Sequence, residues 1–227
     1  MLYIIGTPIG NLKDISPRAI EAIASADIII MESPLDSSKL LRAFNVPKKR
    51  TIKFNDQNAK RMLRPTIEEI VDKQAVYITS AGMPTISDPG AMLVKAAREE
   101  GIGISVIPGP SAAITAFAGS GILSTEFTFI GFLSRKQSHI EKICKTHEER
   151  ESVVITYESP FRIMKTMEIV EKNVPHAHVC VAKELTKMFE AYFFGTPAEI
   201  IKKLAENPKN TKGEFVVIID FRKKGEH

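Results

Sequence analysis

The sequence predicts an α/β protein built as two α/β domains, and three observations carry that prediction. Short apolar runs alternate with amphipathic helical segments along the chain, which is the pattern of strand–helix units with a mainly parallel sheet in the first half. The composition, 44% hydrophobic and 26% charged over 227 residues, is that of a globular chain able to bury a working core. Residues 118–126 hold two Gly, two Ser and one Thr, and this break sets the boundary between domains 1–118 and 119–227. At roughly 100–150 residues per domain the length suits that division.

The elements follow in order. Leu2–Ile5 is an apolar run closed by Gly6-Thr7-Pro8, hence a buried strand. Ser16-Pro17 opens a helix, because serine caps a free N–H and proline needs none in the first turn. Ile20, Ile23 and Ala24 form its apolar face. Residues 27–31 read as the second strand, 37–44 as a short helix and 51–54 as the third strand. Residues 58–73 are helical in pattern, with a break or kink expected at Pro65. A strand at 75–79 leads to a helix at 91–100 stopped by Gly101. The strand at 104–107 ends on Pro108-Gly109-Pro110, and Ser111 caps the helix that follows.

The second half holds more extended runs. Residues 127–132, 153–157, 177–182, 190–194 and 215–221 read as strands, and 136–146, 160–172 and 197–205 as helices. The polar tail 222–227 reads as frayed.

Composition excludes several classes. There is no collagen-like repeat, disordered composition or disulfide framework. Cys144 and Cys180 stand in no metal-type spacing and point to a reduced, cytoplasmic chain. The first residues have no basic region or cleavage site of a signal peptide, and no apolar run approaches the ~20 residues of a membrane span. A formal charge of +4 permits an anionic partner without demanding one. Gly6-Thr-Pro-Ile-Gly10 is not a dinucleotide fingerprint, and no P-loop, H-E-x-x-H, G-x-S-x-G or C-x-x-C is present. The five His form no ligand pair, so no metal is expected.

Three loops at strand ends stand out: residues 6–12, 80–90 and 108–113. Each mixes Gly, which lets the backbone approach a ligand, with Pro, which fixes it. Any one of them reads as a turn that caps a helix. Together, on the carboxyl edge of one sheet, they read as a ligand-binding edge. The second and third lead into helices whose free N–H groups can hold a carboxylate or a ribose hydroxyl.

In the second half, Tyr157-Glu158-Ser159-Pro160-Phe161-Arg162 and the segment 183–190 place opposite charges close together. They read either as surface ion pairs or as a polar rim facing the first domain's loops. Residues 48–64 hold seven basic residues and one acid, Asp56, and Arg135-Lys136 is a smaller pair. Each alone reads as a solvated face. Together they suit a nucleic-acid backbone, without aromatics to signal stacking.

Seven ordered blocks resemble the ribosomal RNA small subunit methyltransferase I family, within the tetrapyrrole-methylase superfamily. They are Leu-Tyr-Ile-Ile-Gly-Thr-Pro-Ile-Gly-Asn-Leu-Lys-Asp-Ile at 2–15, Ala-Gly-Met-Pro-Thr-Ile-Ser-Asp-Pro-Gly at 81–90 and Pro-Gly-Pro-Ser-Ala-Ala-Ile-Thr-Ala at 108–116. Gly-Phe-Leu-Ser-Arg-Lys at 131–136, Tyr-Glu-Ser-Pro-Phe-Arg at 157–162, Glu-Leu-Thr-Lys-Met-Phe-Glu at 184–190 and Gly-Glu-Phe-Val-Val at 213–217 complete the set. The resemblance implies two α/β domains of the tetrapyrrole-methylase type with a ligand cleft between them, S-adenosylmethionine (SAM) as cofactor, and a homodimer. It also implies transfer of a methyl group to the 2′-hydroxyl of a cytidine in 16S rRNA. Where the family usually has Glu-Asp-Thr-Arg this chain has Glu32-Ser33-Pro34-Leu35, where it has Ser-Asp this chain has Thr79-Ser80, and Lys183 replaces an Arg. Many members also continue into a C-terminal extension.

On this resemblance SAM is expected at Pro8, Gly82, Pro84, Ser87, Asp88, Gly90, Pro110, Ser111 and Ala112. Glu184 is expected as general base and Lys187 as its electrostatic partner, with Glu158 as a further catalytic candidate. RNA is expected at Lys49, Arg50, Arg61, Arg135, Lys136 and Arg162. Two other readings stand beside this one: a SAM methyltransferase of a small molecule such as a tetrapyrrole, and a catalytically silent RNA- or ribosome-binding homologue.

Overall fold

A computed structural model describes residues 1–86, 88 and 90–222. The chain divides into two compact units, Met1–Ser111 and Ala112–His227, each with its own five-stranded sheet.

In the first unit, strands β1 (Leu2–Ile5), β2 (Ile28–Met31), β3 (Arg50–Lys53), β4 (Ala75–Ile78) and β5 (Ile104–Ile107) form a wholly parallel sheet in the order β3-β2-β4-β1-β5. Helices α1 (Pro17–Ser25), α2 (Pro34–Ala43), α3 (Ala59–Ile70) and α4 (Gly90–Glu99) connect them, and a 3-10 turn spans Leu12–Asp14. Strands β2 and β4 are buried along their whole length, as a central parallel sheet covered on both faces requires. Alternation sorts their side chains. Ile4, Ile28, Ile30 and Tyr77 join one core with α3 and α4, while Ile5, Ile29, Val76 and Ile78 join the other with α1 and α2. Each such aliphatic contributes about 1.5–3 kcal/mol by leaving water.

Helix α2 begins a turn earlier than the apolar pattern predicts. Ser33 caps it through Asp36 N–H and Pro34 takes its first turn, the same Ser-Pro device as at Ser16-Pro17. The break expected at Pro65 does not occur: α3 runs unbroken from Ala59 to Ile70. Pro65 lies on the exposed face, where water can satisfy the carbonyl it leaves without a donor, and burial of Ala59, Thr66, Ile67 and Ile70 holds the opposite face.

In the second unit, β6 (Thr128–Phe132), β7 (Val153–Glu158), β8 (His178–Lys183), β9 (Ala191–Gly195) and β10 (Phe215–Asp220) take the order β6-β7-β10-β8-β9. Only β6 and β7 are parallel; β10 runs antiparallel to β7 and β8, and β9 antiparallel to β8. Helices α6 (Gln137–Glu149), α7 (Ile163–Asn173) and α8 (Pro197–Ala205) pack with one face of this sheet in a single core. Helix α5 (Ala112–Ser120) packs on β7, β8 and β10, so the division falls at Ser111/Ala112 rather than at the expected 118/119. Its small residues allow this: Gly119 lies against the Tyr192 ring where a Cβ would come within 2.5 Å of the hydroxyl. Helix α7 starts at Ile163, not 160, because the Ser159 carbonyl accepts from both Arg162 and Ile163 in a preceding turn.

Candidate active site

The parallel sheet brings the carboxyl ends of β4, β1 and β5 side by side, with Ile5 level with Ile78 and Ile107. The three glycine–proline loops therefore leave from adjacent strands. They also converge. Thr7 and Gly82 exchange backbone hydrogen bonds of 3.0 and 3.1 Å, and the Gly6 N–H donates to Ile107 at 3.1 Å. Gly82 lies within reach of Ile9 of the first loop and the Pro110 carbonyl of the third. Gly6 and Gly109 touch backbone to backbone: a Cβ on Gly109 would sit 2.7 Å from the Gly6 oxygen.

Asp88 holds the second loop closed. Its Oδ1 accepts from the Tyr77 hydroxyl at 3.0 Å and the Gly90 N–H at 2.8 Å, and its Oδ2 from the Thr85 N–H at 2.6 Å. Burial raises its pKa against those three hydrogen bonds, and burial followed by the Asp88 charge raises that of Tyr77. Glu32 accepts from the Ser80 N–H and hydroxyl, both at 3.1 Å, and so ties the ends of β2 and β4. Pro8, Gly82, Pro84 and Gly90 are buried, whereas Asp88, Pro110, Ser111 and Ala112 are half-buried. Ser87 lies outside the described residues.

The second unit gathers its charges at one end of its sheet, where β7 and β8 finish and β10 begins. Phe215 stands level with Glu158 on one side and Lys183 on the other. Just beyond, Glu184 accepts the Lys187 ammonium at 2.8 Å and the Glu214 N–H at 2.9 Å through Oε1, and Lys187 reaches Glu214 Oε2 at 2.7 Å. Burial works to raise the Glu184 pKa, but these hydrogen bonds and the Lys187 and Lys183 charges outweigh it and hold it below the ordinary value. Burial works to lower the Lys187 pKa, but Glu184 and Glu214 together overcome it and raise it.

Glu158 is held in a network of its own. It is buried, with Oε1 bound to Arg162 at 2.5 Å and to the Ser159 N–H at 2.6 Å, and Oε2 bound to the Thr166 hydroxyl at 2.6 Å. Arg162 donates to the Leu133 carbonyl at 3.0 Å as well as pairing with Glu158, so it ties the end of β6 to β7. In the basic stretch, Arg50 is engaged by Glu69 at 2.8 and 3.1 Å, whereas Lys49 and Arg61 have no ion pair among the described residues. Arg135 and Lys136 are exposed in the β6–α6 loop. The residues that sequence reasoning passed over are Thr166 and Glu214. Glu214 stood in a quoted block, but only the pairing of β10 with β8 puts it beside Glu184.

The family model "Tetrapyrrole (Corrin/Porphyrin) Methylases" matches residues 1–201. Similar curated proteins are named ribosomal RNA small subunit methyltransferase I. That of Buchnera aphidicola is 38% identical over 99% of this chain and 80% of its own, and that of Thermotoga maritima is 34% identical over 96% and 97%. The chain belongs to the ribosomal RNA small subunit methyltransferase I family. Among solved structures it is similar in fold to diphthine synthase, with a TM-score of 0.74 at 15% identity over 100% of this chain and 92% of that one. The methyltransferase CobJ gives 0.69 at 18% over 96% and 92%.

Members of this tetrapyrrole-methylase family depend on SAM, and the residues present fit it. The three converging loops offer backbone N–H and C=O groups and small side chains, while their one carboxylate, Asp88, is occupied within its own loop. Such a neutral, main-chain-lined corner suits a flat adenine and a zwitterionic methionine end, whose charges a fixed side-chain charge would half repel. Among the described residues no helix is long and apolar enough to cross a membrane.

Proposed function

We propose that this family member transfers a methyl group from SAM to the 2′-hydroxyl of a cytidine in 16S rRNA. The observation that supports this most is the ionised Glu184, oriented by Lys187 and the Glu214 amide, in a chain whose relatives over nearly its full length are named as small-subunit rRNA methyltransferases. SAM supplies an electrophilic methyl on a sulfonium, open to in-line displacement by oxygen. A ribose hydroxyl is a poor nucleophile, but its proton becomes strongly acidic as the O–C bond forms. A carboxylate held below its ordinary pKa is then basic enough to take that proton late in the step. Lys187 fixes the carboxylate through Oε1, which leaves Oε2 as the acceptor. The loop residues Pro8, Gly82, Pro84, Gly90, Pro110, Ser111 and Ala112 hold the donor through their backbone, with Asp88 keeping the second loop in shape.

Mass mapping of 16S rRNA from cells with and without the protein tests the reading. One cytidine ribose should lose a single methyl when the protein is absent and regain it with the wild type but not with Glu184→Gln. An unchanged methylation pattern in cells lacking the protein refutes the rRNA substrate. Absence of SAM binding in calorimetry at millimolar ligand would refute an enzyme altogether and leave a silent homologue.

A further inference from the structure

The same end of the C-terminal sheet carries groups that the Glu184–Lys187 pair does not use. Lys183 closes β8 with 7% of its surface exposed; its ammonium makes no hydrogen bond or close ion pair among the described residues, and its charge acts at longer range on Glu184. Its nitrogen is not among the sealed atoms lacking a partner, so it still meets solvent. A solvent-facing ammonium that no side chain of the chain hydrogen-bonds is open to an anion from outside it. The neighbouring acids spend their hydrogen bonds elsewhere: Glu158 is bound to Arg162, Ser159 and Thr166, and Glu184 and Glu214 share Lys187.

The same end of the sheet exposes large apolar side chains. Phe161, in the loop after β7, is 95% exposed, and Met188 and Phe189, in the loop after β8, are 89% and 69% exposed. These loops flank the start of β10, which sets the three side chains on one end of one sheet. Single exposed apolar residues are ordinary, but a group on one end, rimmed by charge, marks a contact surface. The exposed Arg135 and Lys136 after β6 add cations without ion-pair partners among the described residues. A single RNA strand brings phosphates for the cations and bases for the rings.

We propose that this sheet end docks a single-stranded RNA segment beside the target nucleotide, with Lys183 on a backbone phosphate and Phe161 and Phe189 stacking on bases. The proposal rests on the rRNA reading and adds the surface that would select the strand. Its test is fluorescence anisotropy with a short labelled single-stranded RNA of small-subunit rRNA sequence, titrated between about 50 and 200 mM salt. Lys183→Met should weaken binding and flatten the slope of log K against log salt by about 0.7, and Lys183→Arg should restore both. Phe161→Ala and Phe189→Ala should each weaken binding by about 5- to 100-fold at unchanged slope, because stacking releases no counterions. Both phenylalanines are exposed, so these variants keep the fold even if Lys183→Met does not. Wild-type affinity and slope in all variants would overturn the proposal while leaving the rRNA reading intact. Loss of self-association in the phenylalanine variants, seen by sedimentation with RNA affinity unchanged, would overturn it in favour of a face between copies. Failure of the wild type to bind RNA would strike the underlying reading itself.

Discussion

Replacing Gly109 by alanine tests whether the three N-terminal loops act as one cradle. The added Cβ would lie 2.7 Å from the Gly6 carbonyl oxygen and 2.8 Å from its carbon and Cα. Ordinary carbon contacts are about 3.5–4.0 Å, so the loops after β1 and β5 must part by roughly 1 Å. All three atoms in the way belong to backbone, which cannot rotate aside like a side chain. Overpacking of this kind costs about 1–3 kcal/mol, and stretching the Gly6–Ile107 hydrogen bond beyond its 3.1 Å adds about 1 kcal/mol. A shift of that size at a binding edge is worth up to about a hundredfold in function. Calorimetric titration with SAM should show Kd raised at least about tenfold, alongside a lower melting temperature. Gly101→Ala is the control, because its Cβ would meet nothing within 4 Å and only the positive φ is strained. It should lower stability slightly and leave SAM affinity alone. Wild-type SAM affinity in Gly109→Ala would refute the idea that these corners form the cradle.

Two further outcomes follow from the second unit. Glu158→Ala should destabilise the fold by about 3 kcal/mol, at the low end for a broken buried pair because Arg162 keeps 24% of its side chain in solvent. In a urea cycle with Arg162→Ala the two losses should fall well short of additivity, and simple additivity would show that the pair is not coupled. The lowered pKa of Glu184 means that its stabilising contribution is complete above the unfolded-chain value, near 4.5, and is lost as pH falls through the lower folded value. Glu184→Gln should therefore make the acid limb of the stability–pH curve shallower below about pH 4.5. An identical acid limb in urea melts of both proteins would contradict that assignment.

The local elements were legible wherever one signal dominated. The apolar runs at β2 and β4 read as strands, and the sheet order showed that both lie inside it, covered on both faces. Ser16-Pro17 placed the start of α1 through its own hydrogen-bonding chemistry. At Ser33-Pro34 the same signal is masked, because the buried apolar residue of α2 comes only at Leu40. Pro65 misled because a single-residue rule ignores which face of the helix the proline occupies. In the second unit, period and composition describe strands without direction. The antiparallel insertion of β10 between β7 and β8 is a long-range pairing that no window of sequence contains.

The same division holds for the site. The sequence alone determined the three glycine–proline loops, because glycine and proline act on their own backbone, and their order along a parallel sheet puts them on one edge. It also singled out the residues Glu158, Arg162, Glu184 and Lys187. Tertiary structure alone decided their roles, since a charge is defined by its partners. Burial and Thr166 made the Glu158–Arg162 pair a strut, Glu214 arrived beside Lys187 only through strand pairing, and Lys183 was left without a hydrogen bond because the nearby carboxylates bind other groups.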